Sequence, residues 1–443
     1  MPSDTLGRMK RFARWIIPFI FILHIALHVH NYAIQPPRGE TSDEYTYAFL
    51  GLSLIQKGIP TSWSLFLPYQ NVTPLTIRGI FFPIVSPYFD HPPLYGLLIG
   101  GWSWLYGERT FESVNLATIR LIPIVLSVVT LSLILKLGRL LFDEGTTRWA
   151  MLIFATAPLY VLNTRVVFAE NLLTVFLLSA LLFYRRKHRR MNFRAAGMLG
   201  LVSALSLWTK ISGIAVGVGV VALGILDKIQ PKYLMRIALY VLLAAVLYVA
   251  YGALYNLDLF LKINNAQATR PIGPETLTVL LTNPVIVNKV TIEGWYGFGL
   301  FALAILGITD FRRNRILLIP ALIYLLFLLA TLTKEGSSGW YMIPLYPFMA
   351  IASAKILRDG IAKGGWILVP FLLLVFIPYI TRFEALYGLT IVRYRLILAI
   401  IFLPVLTVLL LQKNTLTRKF GQALFALSII ANTIVTYTYV QPV

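Results

Sequence analysis

The 443-residue chain contains no cysteine. Disulfide frameworks, thiolate nucleophiles and Cys-ligated zinc are therefore excluded, and the redox compartment stays open. Acids are scarce as well: 18 Asp and Glu stand against 39 Lys and Arg, for a formal net charge of +21. That excess does not mark a nucleic-acid binder, because the basic residues fall in short clusters between apolar runs and no soluble basic domain is present. With 58% hydrophobic and 13% charged residues and a mean hydropathy of +0.76, the chain reads as a polytopic membrane protein.

A membrane-crossing helix needs about 20 mostly apolar residues. Thirteen segments meet or approach this, near 15–33, 117–136, 148–163, 168–184, 194–209, 212–227, 234–255, 294–309, 316–333, 338–355, 366–381, 394–411 and 420–440. The first follows Arg8, Lys10, Arg11 and Arg14 and lacks a small-residue cleavage pattern, so it reads as a retained helix that points the next loop outward. A further apolar stretch, Pro93 to Tyr106, is short and holds Gly96, Gly100 and Gly101, and reads as interfacial. This choice leaves nearly all of the formal charge on the inner side. If the stretch crossed, Arg185 to Arg190 would face outward, against the positive-inside rule.

The expected fold class is thus an all-α integral membrane protein of about 13 transmembrane helices, with juxtamembrane helices in a long first outer loop. Residues 1–255 form one module that includes outer loop 34–120. Residues 256–293 form a second outer loop, expected to be mobile, and 294–443 the C-terminal transmembrane helices.

Polar residues of several kinds meet on the outer side of this topology. Asp43 and Glu44, in Thr41-Ser-Asp-Glu-Tyr-Thr-Tyr47, lie just beyond the first span. An acidic pair there is a candidate general base for a membrane-borne substrate, although Ser42-Asp43 is also good helix-cap chemistry. Glu170 stands at the outer junction of two spans, in Asn163-Thr-Arg165-Val-Val-Phe-Ala-Glu170. There an acid also steadies the helix dipole by about 0.3–1 kcal/mol. His91, in Phe89-Asp-His-Pro-Pro-Leu94, either orients an acid or serves as a turn residue before two prolines. Arg120 reads as architectural, while Arg165, Lys210, Arg270 and Lys334 are outer-side cations able to face a phosphate. His24 and His28 are four apart on the first helix, with His30 following. That spacing can bind zinc, but it fits polar residues facing the bundle better.

In order and spacing these elements resemble the protein O-mannosyltransferases and the lipid A aminoarabinose transferases, membrane-integral glycosyltransferases of the GT-C type. The resemblance runs over roughly residues 40–215, through Leu105-Tyr-Gly, Arg120, Gly138-Arg-Leu-Leu-Phe142, Ala157-Pro-Leu-Tyr160, Arg165 to Glu170 and Thr209-Lys-Ile-Ser-Gly213. Beyond Tyr255 it thins to Lys334 and Trp340-Tyr-Met-Ile-Pro-Leu-Tyr-Pro347. It implies transfer of a hexosyl or pentosyl group, with inversion, from a polyprenyl-phosphate donor to a hydroxyl on the outer face of the plasma membrane. The acceptor class stays open between protein, lipid and glycan.

The same resemblance implies Asp43 as base and Glu170 assisting it or orienting the acceptor, with Glu44 a further catalytic candidate beside Asp43. Arg165, Lys210, Lys334, Arg270 and Tyr341 are implied at the donor phosphate, and His91 and Arg120 as site architecture. The lipid-linked sugar is a substrate and no cofactor is required, while a divalent ion between Asp43, Glu170 and the phosphate is an option the resemblance carries. The expected partners are membrane lipid, donor and acceptor, with no nucleic acid. The alternative reading is a transporter or flippase of a lipid-linked sugar. Against it stands the lack of an internal repeat and of paired interrupted helices.

Overall fold

Inside hydrocarbon a backbone must satisfy its own polar groups, so apolar runs of bilayer length close into helices. The computed structural model describes residues 3–37, 43–77, 79–270, 278, 280, 282–291, 293–331, 339–379, 388, 390–411 and 414–441. After α1 (Ser3–Val29), the first loop holds α2 (Asp43–Lys57), β1 (Ser62–Trp63), β2 (Val72–Ile77), β3 (Ile80–Val85), α3 (Pro93–Leu105) and the short α4 (Leu116–Ile119). There follow α5 (Leu121–Leu141), α6 (Glu144–Thr156), α7 (Pro158–Thr164), α8 (Ala169–Lys187), α9 (Phe193–Thr209), α10 (Ile214–Leu226), α11 (Pro231–Tyr255) and α12 (Leu257–Ala268). The remainder is the β4–β5 hairpin (Val285–Ile286, Lys289–Val290), α13 (Gly294–Thr331), a 3-10 segment Gly339–Leu345, α14 (Tyr346–Ala362), α15 (Leu368–Phe371), α16 (Ile391–Leu411) and α17 (Asn414–Tyr437).

Each of the thirteen apolar segments is helical for most of its length, yet they are not thirteen equal spans. Among the described residues, five helices are long and apolar enough to cross alone, and a sixth span results if the pair α7–α8, bent by 109°, counts as one. The segment 148–163 is broken where Pro158 starts α7, since proline cannot continue the hydrogen-bond ladder of α6. The segments 294–309 and 316–333 are joined in α13 across a kink at Asp310 (φ −154°, ψ 52°).

The expectation of helices alone in the first outer loop is also corrected. Val72–Ile77 and Ile80–Val85 are rich in β-branched and aromatic residues and pair antiparallel, with β1 on the far side of β3. Ile77 faces Ile80 across a tight turn in which Gly79 has φ +81°. The second outer loop likewise holds α12 and a hairpin. The fold is mostly helical, with two small antiparallel sheets.

The largest apolar cluster runs from Ile20 to Tyr439 and forms the centre of the bundle. A second, with Tyr45, Phe82, Tyr95 and Phe111, packs α2, α3 and the sheet together. Within it α2 and α3 cross at glycines. A Cβ on Gly51 would stand 1.9 Å from the Gly96 carbonyl oxygen, and one on Gly100 would stand 2.3 Å from the Leu52 nitrogen. This close approach sets where α2 begins, and therefore where Asp43 lies.

Gly100→Ala is expected to force the two backbones apart and lower stability by about 1–3 kcal/mol, as overpacking does. The neighbouring Gly101→Ala meets only the Ile55 side chain, at 3.7 Å, and serves as the control. Thermal unfolding of the purified variants checks this. Equal melting of the two would show that the crossing tolerates a side chain.

Candidate active site

The site is assembled where helices end. α9 stops at Lys210, whose extended backbone (φ −159°, ψ 146°) leads through the 3-10 turn Ile211–Gly213 into α10. Gly213 permits that reversal, since a Cβ there would lie 2.0 Å from the Ser206 carbonyl oxygen. α2 starts at Asp43, and the turn before α3 carries Asp90 and His91. Together with Arg270 and Tyr341 these line a cavity of about 550 Å³. Phe327, Leu328, Ala330 and Thr331 of α13 supply an apolar wall. The third apolar cluster, with Tyr69, Tyr88, Phe89 and Phe260, packs behind it.

Opposite charges meet there. Burial raises the Asp43 carboxyl to about 6; Lys210 and Arg270 oppose that shift, and Glu170 and Glu44 add to it. Burial likewise pushes Asp90 up to about 7, against hydrogen bonds from Ser64 and Tyr69. His91 is lowered to about 3 by burial, then by Lys210 and Arg270, so its ring is neutral. The ring stacks on Tyr47, with centroids 5.1 Å apart. Lys210 is held on two sides. Its ammonium lies 4.6 Å from the centre of the Tyr341 ring and donates to Oε1 of the buried Glu170. Tyr341 is braced in turn by Tyr324, whose hydroxyl donates to its carbonyl at 3.0 Å. Arg270 stacks on Phe66 at 4.7 Å.

Other candidates fall outside the cavity. Glu44 faces away from Asp43's surroundings and forms a fully buried, two-pronged ion pair with Arg120, Nε–Oε1 2.8 Å and Nη2–Oε2 2.6 Å. Arg120 also donates to the carbonyls of Tyr32 and Pro36, and Glu44 Oε1 accepts the Val167 N–H at 3.1 Å. The geometry makes Glu44 a tether between these segments and leaves it out of the cavity lining. Arg165 is 1% exposed and donates to the His30 carbonyl at 3.0 Å, so it supports the α1 end and does not line the cavity. Glu170 reaches the cavity only through Lys210. Lys334, and the Pro271 and Gly273 of the second outer loop, lie outside the described residues.

A divalent ion between Asp43 and Glu170 would compete with Lys210, whose ammonium holds Glu170 Oε1, while Glu170 Oε2 is buried without a hydrogen-bond partner. Among the described residues no three His, Asp or Glu side chains gather as a metal would require. His24 and His28 are engaged as hydrogen-bonding residues, at 2.9 Å from Ser127 and Thr164 respectively, and His30 stacks on Tyr437.

Sequence reading missed several wall residues. Asp90 stands inside the quoted Phe-Asp-His-Pro-Pro motif, and its acidity in an acid-poor chain was a usable signal. Ser64, Asn264 and Gln267 also line the cavity. They carried no such mark, since polar residues in outer loops are the norm.

Residues 90–256 match the family described as dolichyl-phosphate-mannose-protein mannosyltransferase. No curated protein matches the chain in sequence. In fold the chain is similar to ArnT from Cupriavidus metallidurans, with a TM-score of 0.59 and 13% identity over 98% of this chain and 78% of that one. The same protein bound to undecaprenyl phosphate gives 0.55 and 11%, over 96% and 77%. The arabinosyltransferase EmbB from Mycobacterium smegmatis gives 0.59 and 13%, over 94% of this chain but 40% of its own. The chain spans 56% of the length of the oligosaccharyltransferase AglB from Archaeoglobus fulgidus, at a TM-score of 0.49. At these identities the likeness to the solved structures is one of fold. The chain thus resembles the membrane-integral GT-C glycosyltransferases in architecture over almost its whole length, and in sequence over the stretch that carries His91, Arg120, Arg165, Glu170 and Lys210.

Proposed function

We propose that this protein is a glycosyltransferase of the plasma membrane that moves a sugar from a polyprenyl-phosphate donor to an acceptor hydroxyl at the outer face, with inversion. The observation that carries this reading is the cavity itself. It sets one half-buried carboxyl, Asp43, within electrostatic reach of an ammonium and a guanidinium, beside an apolar wall on a membrane helix. Such a site suits a substrate with a phosphate at one end and a hydrocarbon chain at the other. The family match over residues 90–256 and the fold shared with ArnT, one structure of which holds undecaprenyl phosphate, support the same donor class. The charge distribution supports the outer-face placement, because the Arg185–Arg190 cluster lies at the opposite end of α8 from Glu170.

In this mechanism the acceptor oxygen attacks the anomeric carbon from the side opposite the phosphate, and its proton passes to the Asp43 carboxylate. The bond from the anomeric carbon to the phosphate oxygen breaks, and the electron pair leaves on the lipid phosphate. Lys210 and Arg270 face the charge that develops there, and Tyr341 keeps the Lys210 ammonium in place. Glu170 acts through Lys210 as a positioning residue. Asp90, Ser64, Asn264 and Gln267 supply the donors and acceptors that sugar hydroxyls need. A transporter would carry its ion pairs near mid-membrane. Here, among the described residues, Glu44–Arg120 and Glu170–Lys210 lie at one end of the bundle, and Asp143–Arg358 and Asp227–Arg315 at the other.

Asp43→Asn is expected to lower kcat by about 10²–10⁴-fold while donor binding persists, read by release of free polyprenyl phosphate and by donor titration. Because the base works ionised and its carboxyl is raised to about 6, activity should be full at pH 8 and lost as pH falls through that value. A kcat/KM profile still flat down to about pH 4.5, near an ordinary carboxyl, would remove Asp43 from the base role.

Arg270→Ala should cost roughly 10²-fold in kcat/KM with little change in thermal stability, since its exposed side chain stacks on the partly buried Phe66 and makes no buried ion pair. Unaltered kinetics would take Arg270 out of the phosphate site.

Glu44→Ala should act on folding. It leaves the Arg120 guanidinium buried without its acid, at a cost of about 3–5 kcal/mol, and Glu44→Ala with Arg120→Met should recover much of that loss. A stable Glu44→Ala protein with abolished turnover would return Glu44 to the catalytic group.

A further inference from the structure

The end of the bundle opposite Asp43 holds a second concave site, of about 260 Å³. It lies between the last turn of α5, the end of α8 with the 3-10 turn His188–Arg190, the end of α10 and the break in α13. Its lining carries Arg185, His188, Arg189, Arg312, Arg313 and Arg315, with Asp227 the one carboxylate among the described residues. That carboxylate is already committed. One oxygen takes Arg315 at 2.5 Å and the other accepts the Tyr184 hydroxyl at 2.7 Å. Arg185, Arg189, Arg312 and Arg313 have no acidic partner among the described residues.

Orientation in the membrane does not require this arrangement. Basic side chains such as Arg194, Lys363 and Arg418 are exposed on surfaces that do not line the cavity, and they bias topology equally well there. The four unpaired arginines instead converge from helices that are distant in sequence. The Asp310 break makes this possible, by turning the chain so that Arg312, Arg313 and Arg315 all reach one cavity, and the Asn314 amide braces the turn on the Asp310 carbonyl at 3.0 Å. Guanidinium groups gathered without acids repel one another. Their planar forks match the oxygens of a phosphate, and low-dielectric walls focus their field on whatever occupies the space.

We propose that this cavity binds a phosphate-bearing anion, supplied either by the headgroup of an anionic lipid in the adjoining leaflet or by free phosphate. Bound there, the anion bridges the end of α8 and the break in α13. The same two helices reach the candidate active site at their other ends, through Glu170 in the first turn of α8 and Phe327 to Thr331 in the last turns of α13. The occupant therefore holds together two helices whose separation shapes the catalytic cavity.

The test uses the full chain purified into neutral detergent with phosphatidylcholine. Thermal unfolding and native mass spectrometry are followed while phosphatidylglycerol, further phosphatidylcholine or inorganic phosphate is added. Phosphatidylglycerol is expected to raise the melting temperature and remain bound. The variant Arg189→Gln/Arg312→Gln/Arg313→Gln should bind it about tenfold more weakly, while Arg194→Gln/Lys363→Gln/Arg418→Gln behaves as the parent. Stabilisation by inorganic phosphate alone, lost in the same site variant, assigns the cavity to the free anion; stabilisation by the lipid alone assigns it to the headgroup. The proposal is overturned if the site variant responds like the parent, or if the control variant loses as much as the site variant. Should the triple variant fail to fold, the single exposed change Arg312→Gln provides the same comparison, with a smaller loss expected.

Discussion

The buried pair between Glu44 and Arg120 is the constraint on which the rest of the outer face depends. Neither side chain reaches solvent, and between them they hold four segments of chain: the end of α1 through the Tyr32 and Pro36 carbonyls, the start of α2, the start of α5, and the sharp α7–α8 corner through the Val167 N–H. A buried ion pair adds little net stability, because desolvating two charges offsets their attraction. What it contributes is uniqueness. Any rearrangement of these segments would strand a charge in a medium that cannot solvate it, so alternative packings are costly. Asp43 and Glu170 are each a few residues from an atom of this network, and inherit its rigidity.

A second pair, Glu170 with Lys210, serves a different end. Its carboxylate is almost fully buried, while the lysine side chain keeps 15% of its surface and opens on the cavity. The acid therefore keeps the lysine charged and aimed without competing for the face that meets the substrate. The Tyr341 ring on another side limits its freedom further. A flexible ammonium loses much rotamer entropy when it is fixed, and here that loss occurs on folding rather than on binding. The cavity is thus a prearranged cationic surface with a weakly basic carboxylate beside it.

The helical architecture was legible from the apolar runs, because hydrocarbon admits few backbone solutions, and each run is found in helix. The number of equal spans was less legible. Hydropathy records apolar length and does not report that Pro158 starts a new helix or that Asp310 bends one without ending it. The sheet in the first outer loop was missed because hydropathy over bilayer-length windows gives no signal for two six-residue strands. At the site, motif spacing pointed to Asp43, His91 and Lys210, which line one cavity, and favoured Asp43 over Glu44 as base, but it could not show that Glu44 pairs with Arg120 or divide Lys210 from Arg165. Adjacent residues on a helix start point in different directions, and which of two outer-side arginines faces a carbonyl is decided by the packing of α1, which lies far away in sequence.

That division has a chemical consequence. If Glu44 stood ionised in the same cavity as Asp43, their repulsion would drive the Asp43 carboxyl well above neutrality and leave it protonated, unable to take a proton from an acceptor. The Arg120 pairing removes most of that charge from Asp43's surroundings. The carboxyl then sits near 6 as a balance of burial against Lys210 and Arg270. At that value it is ionised at neutral pH and yet more basic than an exposed aspartate, which is the combination a general base needs. In the proposed mechanism the same two cations that hold down the carboxyl face the leaving phosphate. A bound donor's negative charge would offset part of their hold, so Asp43 stays ionised only while Lys210 and Arg270 still face it. In the proposed reaction the donor phosphate and the Asp43 carboxylate therefore draw on the same two cations of one cavity.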